Sequence, residues 1–276
     1  GIDANDLSGY AVSSAGDMNG DGFDDYVISA VRAEPDGSSG TGEVYVVFGK
    51  GSGFADVNLA DLNGTDGFRV TGGSNGNEIG KQVNSVGDVN GDGYDDIIIG
   101  AHLVSGGTGQ AYVVYGKQSG YSDITTNDLN GTNGFVINGV DGFDFAGFSA
   151  NGAGDVNGDG YDDFIVGAPL AESGIYTDNG DAYVVFGNGG FGASFNLSSI
   201  NGTNGFRLTG GSDDDALGYS VGSAGDVNGD GFDDVIVGAY LAETGVSQNE
   251  TGESYVIFGK SSAFASSIDV TLMPVD

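Results

Sequence analysis

The residues best suited to chemistry recur as one acidic nonapeptide. Asp17-Met18-Asn19-Gly20-Asp21-Gly22-Phe23-Asp24-Asp25 returns almost unchanged at 88–96, 155–163 and 226–234. Counting from Asp17, side-chain oxygens fall at positions 1, 3, 5 and 9, and Gly22 at position 6 tolerates the positive φ of a tight loop. Position 7 adds a backbone carbonyl. Alternate residues turned inward around a sharp bend make a cage of hard oxygens, which suits Ca²⁺ better than Mg²⁺, an ion that keeps its waters. The predicted ligands are Asp17, Asn19, Asp21, Phe23 and Asp25 in the first copy. They are Asp88, Asn90, Asp92, Tyr94 and Asp96 in the second, and Asp155, Asn157, Asp159, Tyr161 and Asp163 in the third. The fourth set is Asp226, Asn228, Asp230, Phe232 and Asp234. Phe and Tyr enter through their carbonyls only.

An EF-hand needs a bidentate Glu at position 12 and a helix on each side. Position 12 is Ile28, Ile99, Val166 or Val237, inside β-rich apolar runs such as Ile97-Ile98-Ile99, so the last acid comes from position 9 of a loop between two strands. An ion-free, Asx-rich turn is the plainer alternative. It leaves three packed carboxylates to repel one another four times over. The position-8 acids Asp24, Asp95, Asp162 and Asp233 are not counted as ligands and are expected to face solvent or brace the turn.

These loops must be held by a repeated frame. They start at 17, 88, 155 and 226, a period that fits a propeller or related array. Approximate repeats are 9–79, 80–146, 147–217 and 218–276 of a single domain, 1–276. Each repeat offers four β-type segments: a Gly-rich one before the loop (9–12, 80–83, 147–150, 218–221) and an apolar run after it (26–28, 97–99, 164–166, 235–237). A third follows (44–48, 111–115, 182–186, 254–258), then an alternating fourth (68–71, 135–138, 206–209). Continuous apolar runs imply burial on both faces, and alternation implies an outer strand. The fold class is therefore all-β, a propeller of four blades of about four antiparallel strands. A meander puts the metal loops on one face. It puts the variable loops 31–42, 102–109, 169–180 and 240–252 on the other, where ligand contact is expected. In the last repeat, Ile268-Asp269-Val270-Thr271-Leu272 alternates and is the candidate substitute for a fourth strand. With it four blades close into a ring; without it the chain is an open arc, or half of a larger ring completed by self-association.

The chain has 276 residues and a formal charge of −33, from 40 acids against 7 bases. Four Ca²⁺ would leave about −25, still repelling nucleic acid and anionic membranes. Hydrophobic residues make up 38%, and their regular runs argue against a disordered acidic chain. There is no Cys, so disulfides and thiol chemistry are out. No apolar run is long enough to insert in a membrane and no signal peptide is present. The opening Gly1-Ile2-Asp3 lies in mid-pattern, as expected of a piece of a longer secreted or surface protein. Loops of this kind suit millimolar Ca²⁺, outside the cell.

The single His, His102, stands at a strand end and is read as structural. Without Cys, and with no His beside a Ser–Asp pair, the usual nucleophile constellations cannot form. Asp213-Asp214-Asp215 reads as solvated charge. Tyr45, Tyr112, Tyr183 and Tyr255 share one repeat position and read as core. Asn63-Gly64-Thr65, Asn130-Gly131-Thr132, Asn201-Gly202-Thr203 and Asn249-Glu250-Thr251 fit the N-glycosylation pattern, but the first three read as Asn-Gly turns.

The pattern resembles the FG-GAP repeats of the integrin alpha-subunit propeller and its bacterial relatives. "GAP" matches Gly167-Ala168-Pro169, with Ser29-Ala30-Val31, Gly100-Ala101-His102 and Gly238-Ala239-Tyr240 as variants. "FG" matches Ala146-Gly147-Phe148, Leu217-Gly218-Tyr219, Ser8-Gly9-Tyr10 and Ile79-Gly80 more loosely. The resemblance implies one blade per repeat, Ca²⁺ in each loop, and extracellular adhesion or ligand binding, with a protein or glycan as partner. Integrin propellers have seven blades; this chain has four repeats. The competing readings are a carbohydrate-binding or polysaccharide-processing domain, and a structural spacer of a large surface protein.

Overall fold

The computed structural model describes residues 2–37, 40–53, 56–74, 76–174, 176–243 and 251–273. It is all-β, in four sheets. The first blade is a meander of β1 (Ser8–Gly16), β2 (Asp25–Ala30), β3 (Glu43–Val47) and β4 (Gly67–Thr71). The second holds β5 (Val83–Gly87), β6 (Asp96–Ala101), β7 (Gln110–Val114) and, after a short β8 (Ile124–Thr125), β9 (Gly134–Asn138). The third holds β10 (Ser149–Gly154), β11 (Asp163–Ala168) and β12 (Asp181–Val185), then a short β13 (Ser194–Asn196) and β14 (Gly205–Thr209). The fourth is β15 (Leu217–Gly225), β16 (Asp234–Ala239) and β17 (Glu253–Ile257), followed by β18 (Ser267–Asp269).

Packing runs from each blade to the next, as two-faced apolar strands require. Val27, Val44, Val46 and Phe68 of blade one meet Ile97, Ile99, Tyr112 and Val114 of blade two. Ile98, Val113, Phe135 and Ile137 meet Phe164, Val166, Tyr183 and Val185 in the same way, and Ile165, Val184, Phe206 and Leu208 meet Val235, Val237 and Ile257. The four Tyr of the shared repeat position are thus core in three blades and half-buried in the fourth, where Tyr255 lies.

The two glycines of the FG-GAP signature touch across blades. A Cβ on Gly100 would lie 2.2 Å from the carbonyl oxygen of Gly147, and one on Gly167 would lie 2.0 Å from that of Gly218. Gly147 and Gly218 themselves hold φ near +80°. The first strands of blades two and three begin at Val83 and Ser149, beyond their Gly-rich predicted starts, whereas that of blade four begins at Leu217 and includes Gly218.

The expected fourth strand of the last blade is corrected. Ser267–Asp269 pairs in parallel with β14 of blade three, and Val270–Leu272 is a 3-10 turn. Blade four therefore has three strands among the described residues. The reason is an aromatic anchor that recurs in each linker. Tyr121 stacks on Phe68 at 4.7 Å, Phe191 on Phe135 at 4.2 Å and Phe264 on Phe206 at 4.4 Å. Each anchor delivers the next few residues (β8, β13 or β18) to the outer strand of the preceding blade.

The ring is not closed. Val12 of blade one and Val227, Ile236 and Phe258 of blade four are exposed, although Val27, Val46 and Met18 at or beside the corresponding interblade positions are fully buried. Phe206→Ala should lower the unfolding free energy by about 3–5 kcal/mol, because it empties a stacked, buried site. Phe258→Ala, at 52% exposure, should stay within about 0.5 kcal/mol. Urea unfolding of the two variants checks both.

Candidate functional site

Each acidic loop joins the first two strands of its blade and is laced to its own backbone. In the second copy, Asp88 Oδ1 accepts the N–H of Gly91 and Asp92, and its Oδ2 accepts that of Gly93. Asn90 Oδ1 accepts the N–H of Asp92 at 2.9 Å, and Asp92 Oδ1 that of Tyr94 at 3.1 Å. The other three loops repeat this lacing, the first without the Gly20 bond. These are Asx-type turns, locally encoded by Asp and Asn at alternate positions.

Position 9 differs from the rest. Asp25, Asp96, Asp163 and Asp234 are buried, while positions 1, 3 and 5 stay half-buried or exposed. One oxygen of each accepts the N–H of its loop's position 2, and the other accepts the N–H of Gly49, Gly116, Gly187 or Gly259 after the third strand. Burial pushes the Asp25 carboxyl up to about 6, Asp163 to about 8 and Asp96 well above the carboxylate range. Two backbone N–H donors pull each back, and the position-1 and position-5 acids raise it again. Among the described residues none of these loop acids pairs with Lys or Arg; the ion pairs found engage Glu43, Asp123 and Asp181.

Every predicted ligand thus lies on its predicted loop, but the side chains are not gathered. No three acidic or imidazole side chains among the described residues stand grouped as a ready metal cluster. Their oxygens are turned to backbone N–H groups instead. The donor set still fits a hard divalent cation: carboxylates at positions 1, 5 and 9, an amide oxygen at 3, and no basic side chain in competition. Carboxylate oxygens keep spare lone pairs after one N–H bond.

The position-8 acids do more than brace a turn. Asp95 Oδ2 accepts the N–H of Asp17 at 2.7 Å, Asp162 that of Asp88 at 2.9 Å and Asp233 that of Asp155 at 3.0 Å. Each ties its own loop to the first residue of the preceding loop. The glycine before that residue makes room, since a Cβ on Gly87 would lie 2.1 Å from Asp162 Oδ2. Asp24, in blade one, is exposed. The signal available was the repeated Gly-Asp and Asp-Asp pairs, but the spacing does not say that they meet across blades.

The opposite face carries His102, Lys81 and the Asp213–215 run, whereas the Asn-Gly turns, between the third and fourth strands, share the face of the acidic loops. His102 is half-buried against Phe145 and Phe148, and burial and Lys81 bring its pKa down to about 4. It is neutral near pH 7, as a packing residue would be. Lys81 donates to Tyr10 Oη at 3.0 Å and lies 4.6 Å from the Phe148 ring centre, which is 4.9 Å from Tyr219. Tyr219 in turn lies 4.1 Å from Tyr240. This row crosses all four blades. Asp215 of the Asp213–215 run is not solvated charge: it is buried and accepts the N–H of Gly211 and Ser212. Asn63, Asn130 and Asn201 each accept the N–H of the Thr two residues on, as Asn-Gly turns do. Asn249 lies outside the described residues.

The family model for the FG-GAP repeat matches residues 8–47, 83–114, 147–185 and 217–257. The chain belongs to the FG-GAP repeat family. Among its relatives is integrin alpha pat-2 of Caenorhabditis elegans, 31% identical over 85% of this chain and 18% of that protein. Integrin alpha-PS5 of Drosophila melanogaster is 31% identical over 60% of this chain and 15% of that one. Phosphatidylinositol-glycan-specific phospholipase D of Bos taurus is 31% identical over 60% and 19%. The FG-GAP chain thus spans less than a fifth of the length of each of these relatives. No described helix is long and apolar enough to cross a membrane.

Asp162→Ala should cost about 1–3 kcal/mol by leaving the Asp88 N–H unpaired between blades. Asp24→Ala, at the exposed equivalent, should cost less than about 0.5 kcal/mol. Paired urea melts check the contrast.

Proposed function

We propose that this FG-GAP chain is a calcium-stabilised, non-catalytic interaction module that works outside the cell or at its surface. One observation carries the cation reading. Each loop has a buried position-9 carboxylate, with acids at positions 1 and 5 and no basic partner among the described residues. Asp17, Asn19, Asp21, Asp25 and the Phe23 carbonyl, with their equivalents, would hold the ion. Bound Ca²⁺ supplies the positive charge that offsets carboxylate repulsion and burial.

The interaction reading draws its support from family membership and from the integrin alpha relatives. In a meander, loops occupied by Ca²⁺ leave the opposite face free for a protein or glycan partner. A second reading has its own observation. The row of Tyr10, Phe148, Tyr219 and Tyr240 on that face offers aromatic surface for sugar stacking. The phospholipase D relatives leave room for the FG-GAP unit to serve an enzyme as its accessory module.

Binding of the Ca²⁺-loaded chain to an array of extracellular proteins and glycans tests these readings. Protein hits support the interaction module. Glycan hits abolished by Tyr219→Ala support the lectin reading, and turnover of a polysaccharide overturns the non-catalytic one. A blank array with the fold intact leaves the structural spacer.

Chelation should lower the Tm markedly, and Asp92→Ala more mildly through one loop of four; a melting curve indifferent to chelator overturns the cation reading. The pH dependence follows from Asp25 and Asp163, whose folded-state pKa values lie above those of an unfolded Asp. Their contribution is present below about pH 4 and is lost as pH rises through 6 and 8. Calcium-free protein should therefore melt lower at pH 8 than at pH 5, and millimolar Ca²⁺ should remove that fall. Calorimetry at the two pH values reads it.

A further inference from the structure

One position repeats at the start of each blade, on the face away from the acidic loops. Gly9, Gly80, Gly147 and Gly218 hold φ between +79° and +90°, and the residue after each is Tyr10, Lys81, Phe148 or Tyr219. Three blades put a ring there, and blade two puts an ammonium. Lys81 Nζ donates to Tyr10 Oη at 3.0 Å and lies 5.4 Å from the Tyr10 ring centre and 4.6 Å from that of Phe148. Beyond Phe148 the rings continue, with Tyr219 at 4.9 Å and Tyr240 a further 4.1 Å on. The cation thus has one ring on one side and three on the other. Lys81 and Phe148 belong to blades two and three, each packed by a blade on either side.

The cleft between these side chains, of about 350 Å³, is an exception on a very acidic surface. Lys81 is the one charged side chain lining it among the described residues, with Gln82, Ser149 and Ser220 beside the rings. Four other surface clefts are each lined by two or three carboxylates. In a chain of 40 acids and 7 bases, a lining with a base and no acid is where an anion can approach without repulsion from its own walls. Among the described residues Lys81 makes no ion pair. An ammonium has three donors, and the Tyr10 hydroxyl takes one of them. The rings are open to a ligand, Tyr10 at 48%, Tyr219 at 41% and Tyr240 at 50% exposure. Such rings offer an apolar face for stacking and a hydroxyl for bonding.

We propose that this cleft binds an acidic saccharide, a run of neutral pyranoses carrying one uronate whose carboxylate sits on Lys81. The neighbouring sugars stack on Tyr219 and Tyr240 to one side and on Tyr10 to the other. The site rests on the sugar-stacking reading of the same row and adds to it the charge of the ligand. A carboxylate on Lys81 gains a charge-assisted hydrogen bond, and the Ser and Gln side chains suit sugar hydroxyls. One base offsets one acid. A chain of consecutive uronates would bring further carboxylates, with no base to meet them, to a protein of formal charge −33, so the ligand class is sparsely charged.

The test is an NMR titration of the full chain with xylotriose carrying one glucuronate, with plain xylotriose and with trigalacturonate. The glucuronate probe should bind about fivefold more tightly than plain xylotriose, as one half-exposed charge-assisted bond allows, and more tightly than trigalacturonate. Lys81→Gln should erase the difference between the two xylotrioses while keeping the affinity for the plain one, and Lys81→Arg should preserve it. Lys50→Gln, the same charge change at an exposed site on the face of the acidic loops, should leave it unmoved. Tyr219→Ala should weaken both sugars with the Tm unchanged. Equal affinity for the two xylotrioses, or a preference that survives Lys81→Gln, overturns the acidic-saccharide site and leaves sugar stacking standing. Absence of saturation by either xylotriose at millimolar sugar overturns both. A glutamate tripeptide that binds through Lys81 as tightly as the glucuronate probe overturns the saccharide class and assigns the cleft to a peptide carboxylate.

Discussion

Each sheet in this protein is apolar on both faces, and no blade can bury both faces alone. Stacking blade on blade is the only arrangement that removes those faces from water, and the three interblade cores are its result. The same constraint accounts for what is left uncovered. Val227, Ile236 and Phe258 are exposed, with no further blade against them among the described residues. The array resembles a solenoid in its energetics, with stability carried by nearest-neighbour interfaces and weakest at its ends.

The acidic loops share in this packing. Position 9 is buried by the end of the third strand, and position 8 reaches back to the preceding loop. In the second and third loops the position-7 ring covers the preceding loop's glycine: a Cβ on Gly20 would lie 2.5 Å from Tyr94 Cε1, and one on Gly91 2.4 Å from Tyr161 Cε1. A change in one loop is thereby felt by the next. A cation that neutralised position 9 would act on the interface as well as on its own turn, which is the physical sense in which calcium is proposed to stabilise the module.

The two faces of the array divide the work. One carries charge held in tight, self-satisfied turns. The other carries the aromatic row from Tyr10 to Tyr240 and the more varied loops. A rigid frame that fixes one face and leaves the other free to vary suits an interaction module. Membership of the FG-GAP family fits that division.

The amino-acid sequence determined the repeat, the strand order, the loop positions and the family, because these rest on local pattern: Asp and Asn at alternate positions, Gly where φ is positive, apolar runs of strand length. It also marked Tyr45, Tyr112 and Tyr183 as core through their shared repeat position. Only the tertiary structure decided what depends on contacts between blades. Asp95 meets the backbone of Asp17, 78 residues away, and no local pattern encodes such a meeting. Asp215 looked like solvated charge and is buried because it closes a blade-to-blade loop. Ile268 alternates as an outer strand would, yet the Phe264 ring, stacked on Phe206, carries its segment to blade three. The alternation was legible in the chain; which edge it would join was set by the aromatic anchor before it.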